Sequence, residues 1–339
     1  MSFGFSVYFG LDNSKEENIK LLKDAHNLGF TRIFTSLHIP EANYEVLKAE
    51  VKEFFELAKD YDMDLKGLRD MGVKTIRIDF GYSEEDIAKM SKNKYGIKIQ
   101  LNASTITEEF FKKLDRYSPD YENIDALHNF YPRIGTGISE ECMIKKNSIL
   151  KEREIKPCAF VQSNNRKRSP LKDGLPTLEY HRGMAVREAA NHLFALGNTS
   201  VFIGDSLPSI EELKELSSLN PEVIELDIKV KSNDEITLRL LNEVYSARTD
   251  EARDAIRASE SRLILKEDII EPYNNVNKEV GDITIDNKDY LRYMGELQIL
   301  KMNQEKDSRT NVVASILQKD LYLLKYIQGG KKFRFNFNK

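Results

Sequence analysis

The sequence predicts an α/β domain over residues 1–220 followed by a smaller β-rich domain over residues 221–339. Three observations carry that expectation. Seven short runs rich in β-branched and aromatic residues recur in the first part of the chain, each followed by a charged segment with helical spacing. Most of these runs are continuously apolar and end in one or two polar residues, as strands buried on both faces of a parallel sheet do. After about Asn220 the alternation stops and strand-like runs follow one another. Alternating βα units of this kind leave two architectures open, a doubly wound open sheet or a closed (β/α)8 barrel.

The expected strands, in order, are GFSVYFG at 4–10, RIFTSLHI at 32–39, KTIRIDFG at 74–81, GIKIQLNAS at 96–104, IDALHNFYPR at 124–133, KPCAFVQS at 156–163 and TSVFIGDS at 199–206. Helices fall between them with recognisable ends. Ser14 precedes KEENIKLLKDAHNLG, with Glu17 placed for a capping box and Gly29 closing the helix. Ser83, Thr107 and Ser209 precede further helical stretches whose first turns are acidic, which complements the helix dipole. The longest expected helix covers 43–61, with Val46, Phe54, Leu57 and Ala58 on one apolar stripe.

One place breaks the rhythm. That helix ends near Tyr61, and GLRDMG at 67–72 resembles the tail of another, so one βα unit is due between them. Only MDLK is present. Removing a stave from a barrel exposes two strand edges, which is costly, so the expectation is a chain break with missing residues near 64–68. In the second part, VIELDIKV, ITLRLLNEVYSAR, SRLILKED, GDITIDN, LRYMGELQILKM, NVVASIL and KKFRFNFNK read as strands and DEARDAIRAS as a short helix. Asn274, Asn275, Gly281, Asp282, Gly329 and Gly330 supply the turns.

Composition narrows the function classes. A chain of 339 residues suits one large domain with a smaller companion. The net charge of −4 provides no basic surplus for nucleic acid. The longest apolar runs are far too short to span a membrane, and Asp12 interrupts the N-terminus where a signal peptide would still be apolar. The expected location is the cytoplasm. Cys142 and Cys158 belong to no CxxC or zinc-like cluster and read as reduced structural thiols.

A barrel of alternating units builds its site from the C-terminal ends of the strands. Those ends carry Asp79, Asn102, Ser104, His128, Asn129, Tyr131, Arg133, Gln162, Asn164, Asp205 and Ser206. Asp79 and Asp205 are the carboxylates among them, and a carboxylate pair suits glycoside hydrolysis, although each could equally cap a helix or pair with an arginine. Glu179, in LPTLEYHR beside His181 and Arg182, is a third candidate. HNFYPR at 128–133 combines aromatic rings with hydrogen-bonding groups, as a sugar site would. Two segments could hold an anion: SNNRKRSPLKDG at 163–174, which includes Arg168, and RASESR, which includes Arg257, Ser261 and Arg262. No P-loop or GxGxxG implies a nucleotide cofactor, and no HxH or HExxH implies a metal.

The segments GFTRIFTSLHIPE, TIRIDFGYS, YGIKIQLNAST, HNFYPRIGTGIS, GLPTLEYHR, SVFIGD, AIRASESR, GDITIDN and RYMGELQI together resemble the MupG-type 6-phospho-N-acetylmuramidases, once labelled outer surface proteins. The resemblance runs nearly end to end. It implies a TIM barrel followed by a cyclophilin-like β domain. It also implies intracellular hydrolysis of the bond between N-acetylmuramic acid 6-phosphate and N-acetylglucosamine in cell-wall recycling, so the implied partner is a phosphorylated amino-sugar disaccharide. Family members carry a third strand ending in a DVSP-like motif where this chain has only MDLK. Two other readings stay open from the residues: a phosphosugar isomerase or epimerase with Glu179 and His181 shuttling a proton, and a non-catalytic sugar or peptide binder.

Overall fold

The computed structural model describes residues 2–9, 11–36, 73–79 and 81–337. The expected helix at 43–61 and the expected break near 64–68 lie outside the described residues. Contacts divide the chain into two units, Met1–Leu219 and Asn220–Lys339.

In the first unit, strands β1 (Ser2–Ser6), β2 (Arg32–Phe34), β3 (Thr75–Ile78), β4 (Lys98–Asn102), β5 (Ile124–Leu127), β6 (Pro157–Val161) and β7 (Ser200–Ile203) form one sheet. Their order is β2-β1-β7-β6-β5-β4-β3, and every neighbouring pair is parallel. All residues of β5, β6 and β7 are buried, which is why these strands read as apolar on both faces. Gly4 on β1 is there for space, since a Cβ would come within 2.2 Å of the Phe202 ring.

Helices α1 (Lys15–Asn27), α2 (Glu84–Ser91), α3 (Glu108–Leu114), α4 (Glu140–Lys151), α5 (Val186–Ala195) and α6 (Ile210–Ser217) alternate with these strands. Ser14, Ser83 and Ser209 each form a full capping box, with Glu17, Asp86 and Glu212 respectively, and Thr107 caps α3. These short-range bonds start the helices where the sequence places them.

The closed barrel is not what forms. The two sheets of the molecule are open and strongly curled, through 255° and 248°, with edges still 8–9 Å apart. Hydrogen-bonded strands stand ~4.8 Å apart, so edges at that distance cannot pair. Among the described residues the first sheet ends at β2 and β3, on either side of the stretch where the strand rhythm fails in the sequence.

The second unit is likewise an open curled sheet rather than a closed cyclophilin-like barrel. Its strands are β8 (Val223–Val230), β9 (Val244–Ser246), β10 (Ala255–Arg257), β11 (Asp282–Asp286), β12 (Leu297–Leu300), β13 (Thr310–Ile316) and β14 (Lys332–Asn336), in the order β10-β12-β11-β13-β8-β14-β9. Two expected strands are partly or wholly helical here. In ITLRLLNEVYSAR the first half is helix α7 (Glu235–Leu241), capped by Asp234 and burying Thr237, Leu240 and Leu241 along one face. SRLILKED begins with helix α8 (Ser261–Leu265). The helix expected in DEARDAIRAS is instead strand β10, because Ala255, Ile256 and Arg257 pair with Leu300, Ile299 and Gln298 of β12. Long-range pairing outweighs local propensity at that point.

Candidate active site

Because all seven strands of the first sheet run parallel, their C-terminal residues gather along one edge. Asp79 follows β3 there, and its side chain is 44% exposed. Arg77, two residues earlier and so on the same face of the strand, donates from Nε to both Asp79 oxygens at 3.1 Å. The same guanidinium donates from Nη1 to the Leu127 carbonyl and from Nη2 to Asn129 Oδ1, both at 2.6 Å. Asn102 at the end of β4 adds a bond from Nδ2 to Asp79 Oδ1 at 3.0 Å. Asp79, Asn102 and Asn129 are thus one network with Arg77 at its centre.

His128 sits behind that network. Its ring contacts Ser104 Oγ through Nδ1 at 3.2 Å and Asn147 Oδ1 through Nε2 at 3.0 Å. Burial pushes its pKa down to about 4, against the opposing pull of the Asn147 bond, so the ring is neutral near pH 7. Ser104 Oγ in turn accepts from the Asn129 backbone N–H at 2.9 Å. His128 therefore supports the strand ends from within the core.

Glu179 is fully engaged. Arg182 donates to it from Nε at 2.6 Å and from Nη2 at 2.9 Å, and the backbone N–H groups of Gly135 and Gly137 donate at 2.9 and 2.7 Å. The Arg182 bonds, helped by the two amides, hold its pKa at about 2. A Cβ at Gly137 would lie 2.6 Å from the Glu179 backbone nitrogen, so the amide approaches this closely only without a side chain. Arg182 also donates to the carbonyls of Tyr131 and Arg133, tying the 128–137 loop to the same clamp. Arg133 is exposed and Tyr131 half-buried.

His181 is fully buried against His192, with Nε2 2.9 Å from Nδ1. Burial, together with that second ring, drives its pKa well below the ordinary imidazole range. A proton shuttle between Glu179 and His181 has no support in this geometry, because one group stays ionised and the other neutral.

Asp205, after β7, is wholly buried. It accepts backbone N–H bonds from Ser163, Arg168 and Leu175 at 2.9, 3.0 and 3.2 Å and so pins the loop over 163–175. Burial raises its pKa although the three amides oppose the rise. The Arg168 guanidinium lies over the rings of Tyr8 and Phe130, 5.1 and 5.2 Å from their centroids, and its Nε is buried without a hydrogen-bond partner among the described residues. Asp12, after β1, accepts from Ser169 N at 2.8 Å, Ser169 Oγ at 2.5 Å and Ser206 Oγ at 2.8 Å, fixing the same loop from its other side.

Sequence reasoning missed Arg77, Asp12 and the Tyr8–Phe130 pair. Alternation along TIRID was the available signal for Arg77, since it puts Arg77 and Asp79 on one face. Arg257, Ser261 and Arg262 belong to the second unit. There Arg257 Nε binds Glu296 Oε1 at 2.5 Å, Arg262 Nη1 faces Glu296 Oε2 at 3.9 Å, and the buried Ser261 hydroxyl accepts from Leu297 N at 3.0 Å. Among the described residues no group of three or more His, Cys, Asp or Glu is placed to hold a metal.

The family model for the N-terminal region of 6-phospho-N-acetylmuramidases matches residues 3–66 and 61–218, and that for their C-terminal region matches 224–336. The chain belongs to the 6-phospho-N-acetylmuramidase family. It is a glycoside hydrolase that cleaves between N-acetylmuramic acid 6-phosphate and N-acetylglucosamine in peptidoglycan recycling. Its substrate is a phosphorylated amino sugar. The two N-terminal matches overlap over residues 61–66.

Two solved structures resemble this 6-phospho-N-acetylmuramidase family member along its length. An uncharacterized protein of B. cereus is 29% identical with a TM-score of 0.83, covering 99% of each chain. A conserved Enterococcus faecalis protein of unknown function is 32% identical with a TM-score of 0.63, covering 100% of this chain and 97% of that one. No curated protein matches the chain. Among the described residues no helix is long and apolar enough to cross a membrane.

Proposed function

We propose that the substrate is the disaccharide of N-acetylmuramic acid 6-phosphate and N-acetylglucosamine, hydrolysed at the C-terminal edge of the first sheet with Asp79 as a catalytic carboxylate. The observation that carries this reading is exposure. Of Asp79, Asp205 and Glu179, Asp205 is wholly buried and Glu179 is taken up by Arg182 and two glycine amides, whereas Asp79 is half-exposed and oriented by Arg77 and Asn102.

Glycoside hydrolysis needs one carboxyl to protonate the leaving oxygen and another to attack the sugar or activate water. Asp79 takes the second role, held in position by the Arg77 fork before substrate arrives. Asn102 and Asn129, joined to it through the Arg77 network, and Tyr131 and Arg133 on the loop after β5 are the hydrogen-bonding groups for sugar hydroxyls and the acetamido substituent. Arg168, lying over Tyr8 and Phe130 with Nε unpartnered among the described residues, is the group for the phosphate. Asp205 and Glu179 serve the site indirectly by fixing its loops. The free thiols of Cys142 and Cys158 suit work in the cytoplasm.

The test is turnover of the phosphorylated disaccharide by Asp79→Asn. We expect kcat to fall at least about a thousandfold with the melting temperature unchanged. Activity within about tenfold of the parent would remove Asp79 from the chemistry.

A further inference from the structure

The second unit holds a cavity that hydrolysis at the first sheet does not use. Along β10, β12, β11 and β13 side chains alternate between faces, and the register aligns Ile256, Ile299, Ile283 and Ala314 on one of them. The other face aligns Arg257, Gln298 and Thr284, and beside that row Asp286 pairs with Thr310. Glu296 joins this polar row, its carbonyl accepting from Asp286 N at 3.1 Å. An antiparallel sheet usually turns such a face to water. Here Thr284, Asp286, Glu296 and Thr310 are each less than a tenth exposed. They floor a cavity of about 410 Å³ walled by Lys278, Tyr290 and Tyr293. That is a usual size for a small-molecule site.

Three groups in it keep hydrogen-bonding capacity unused among the described residues. Lys278 is only 4% exposed, and two backbone hydrogen bonds with Gln304 fix its place. Its ammonium has no hydrogen bond or ion pair among the described residues. Asp286 and Asp307 supply opposite charge across the cavity without closing on the ammonium, which leaves its donors for a ligand. Among the described residues Asp286 accepts a side-chain bond only from Thr310 Oγ1, at 3.3 Å, and Glu296, paired through Oε1 with Arg257, leaves Oε2 without a hydrogen-bond donor, 3.9 Å from Arg262 Nη1. Lys278 does not close on either carboxylate, so the cavity offers a cation and carboxylate oxygens at once. A ligand that satisfies both carries one anionic group and several hydroxyl donors. The two tyrosine rings and the Gln298 amide add a platform and a polar contact suited to a sugar ring.

We propose that this cavity is a second binding site, which takes a hydroxyl-rich anion of monosaccharide size, with the anionic group on Lys278 and the hydroxyls on Asp286 and Glu296. The site stands on the second unit's own geometry and does not depend on the role of Asp79. Calorimetric titration of the full chain with a hexose 6-phosphate tests it, in an Arg168→Met background that silences the first unit's anion group. We expect one equivalent to bind, with affinity falling about tenfold or more on adding Lys278→Met, and again when the unphosphorylated hexose replaces the ligand. Inorganic phosphate alone should bind more weakly than the sugar phosphate. Lys278→Met in the otherwise unaltered chain should leave turnover and melting temperature unchanged, and Glu296→Gln provides a second variant with the same expected loss of binding. The proposal is overturned if the Arg168→Met chain binds no sugar phosphate, if Lys278→Met leaves the affinity unchanged, or if a zwitterionic amino acid binds in preference. None of those results would alter the turnover expected of Asp79→Asn, so the two readings fail separately.

Discussion

The Arg77 guanidinium donates from Nε to both carboxylate oxygens of Asp79 at 3.1 Å while its two terminal nitrogens are held by Leu127 O and Asn129 Oδ1. One planar fork thereby couples the ends of β3 and β5. Lysine offers a single point charge and cannot reproduce four directed bonds. Arg77→Lys should lower kcat roughly a hundredfold with little change in KM, because what is lost is the orientation of Asp79. Steady-state kinetics on the phosphorylated disaccharide would show it, and a change confined to KM would assign Arg77 to substrate binding instead.

Arg168 lies over Tyr8 and Phe130 with its Nε unpartnered. Arg168→Met keeps much of the stacking volume and removes the charge. KM for the phosphorylated substrate should rise about tenfold or more, and the unphosphorylated analogue should be unaffected. Equal losses on both substrates would mean that Arg168 serves packing alone.

Glu179 has its pKa depressed from an ordinary 4.5 to about 2. A depressed carboxyl contributes stability that is fully present above its unfolded pKa and is lost as pH falls through the folded one. Glu179→Gln should therefore cost on the order of 1–2 kcal/mol at pH 7, allowing for solvent screening of a partly exposed pair. The gap to the parent should close between about pH 4.5 and pH 2. Urea unfolding at pH 7 and pH 3 would measure both ends, and a gap independent of pH would rule out the ionic account.

Asp205 is the acceptor for three backbone N–H groups of the 163–175 loop. Asp205→Ala leaves those donors without a partner inside the fold, at a cost of about 3 kcal/mol or more. The loop should become the first site of proteolytic cleavage, read by limited digestion and mass spectrometry. Loss of turnover without loss of stability would instead give Asp205 a part in the chemistry.

Much of the first sheet was legible because its signals are local. A strand buried on both faces must be apolar throughout, and Ser14, Ser83 and Ser209 bond to residues three positions away. Asp79 was legible for a related reason, since the last residue of a parallel strand must lie at the sheet's C-terminal edge. The second unit read less well. Its β10 exists through pairing with residues about forty positions later, and local pattern there favoured a helix. The Lys278 cavity was invisible, because only the register of four strands brings its polar row together.

What the sequence by itself determined is the alternation of parallel strands with capped helices, the polar strand ends, and the likeness to 6-phospho-N-acetylmuramidases. Only the tertiary structure decided that both sheets stay open, with edges 8–9 Å apart, and which of three carboxylates is left most exposed. The reason is physical. A carboxyl's exposure and charge depend on the donors around it, and for Asp205 and Glu179 the backbone donors come from residues 30–44 positions away. Local sequence records that a carboxylate is present, and the fold determines whether it meets a substrate or holds a loop.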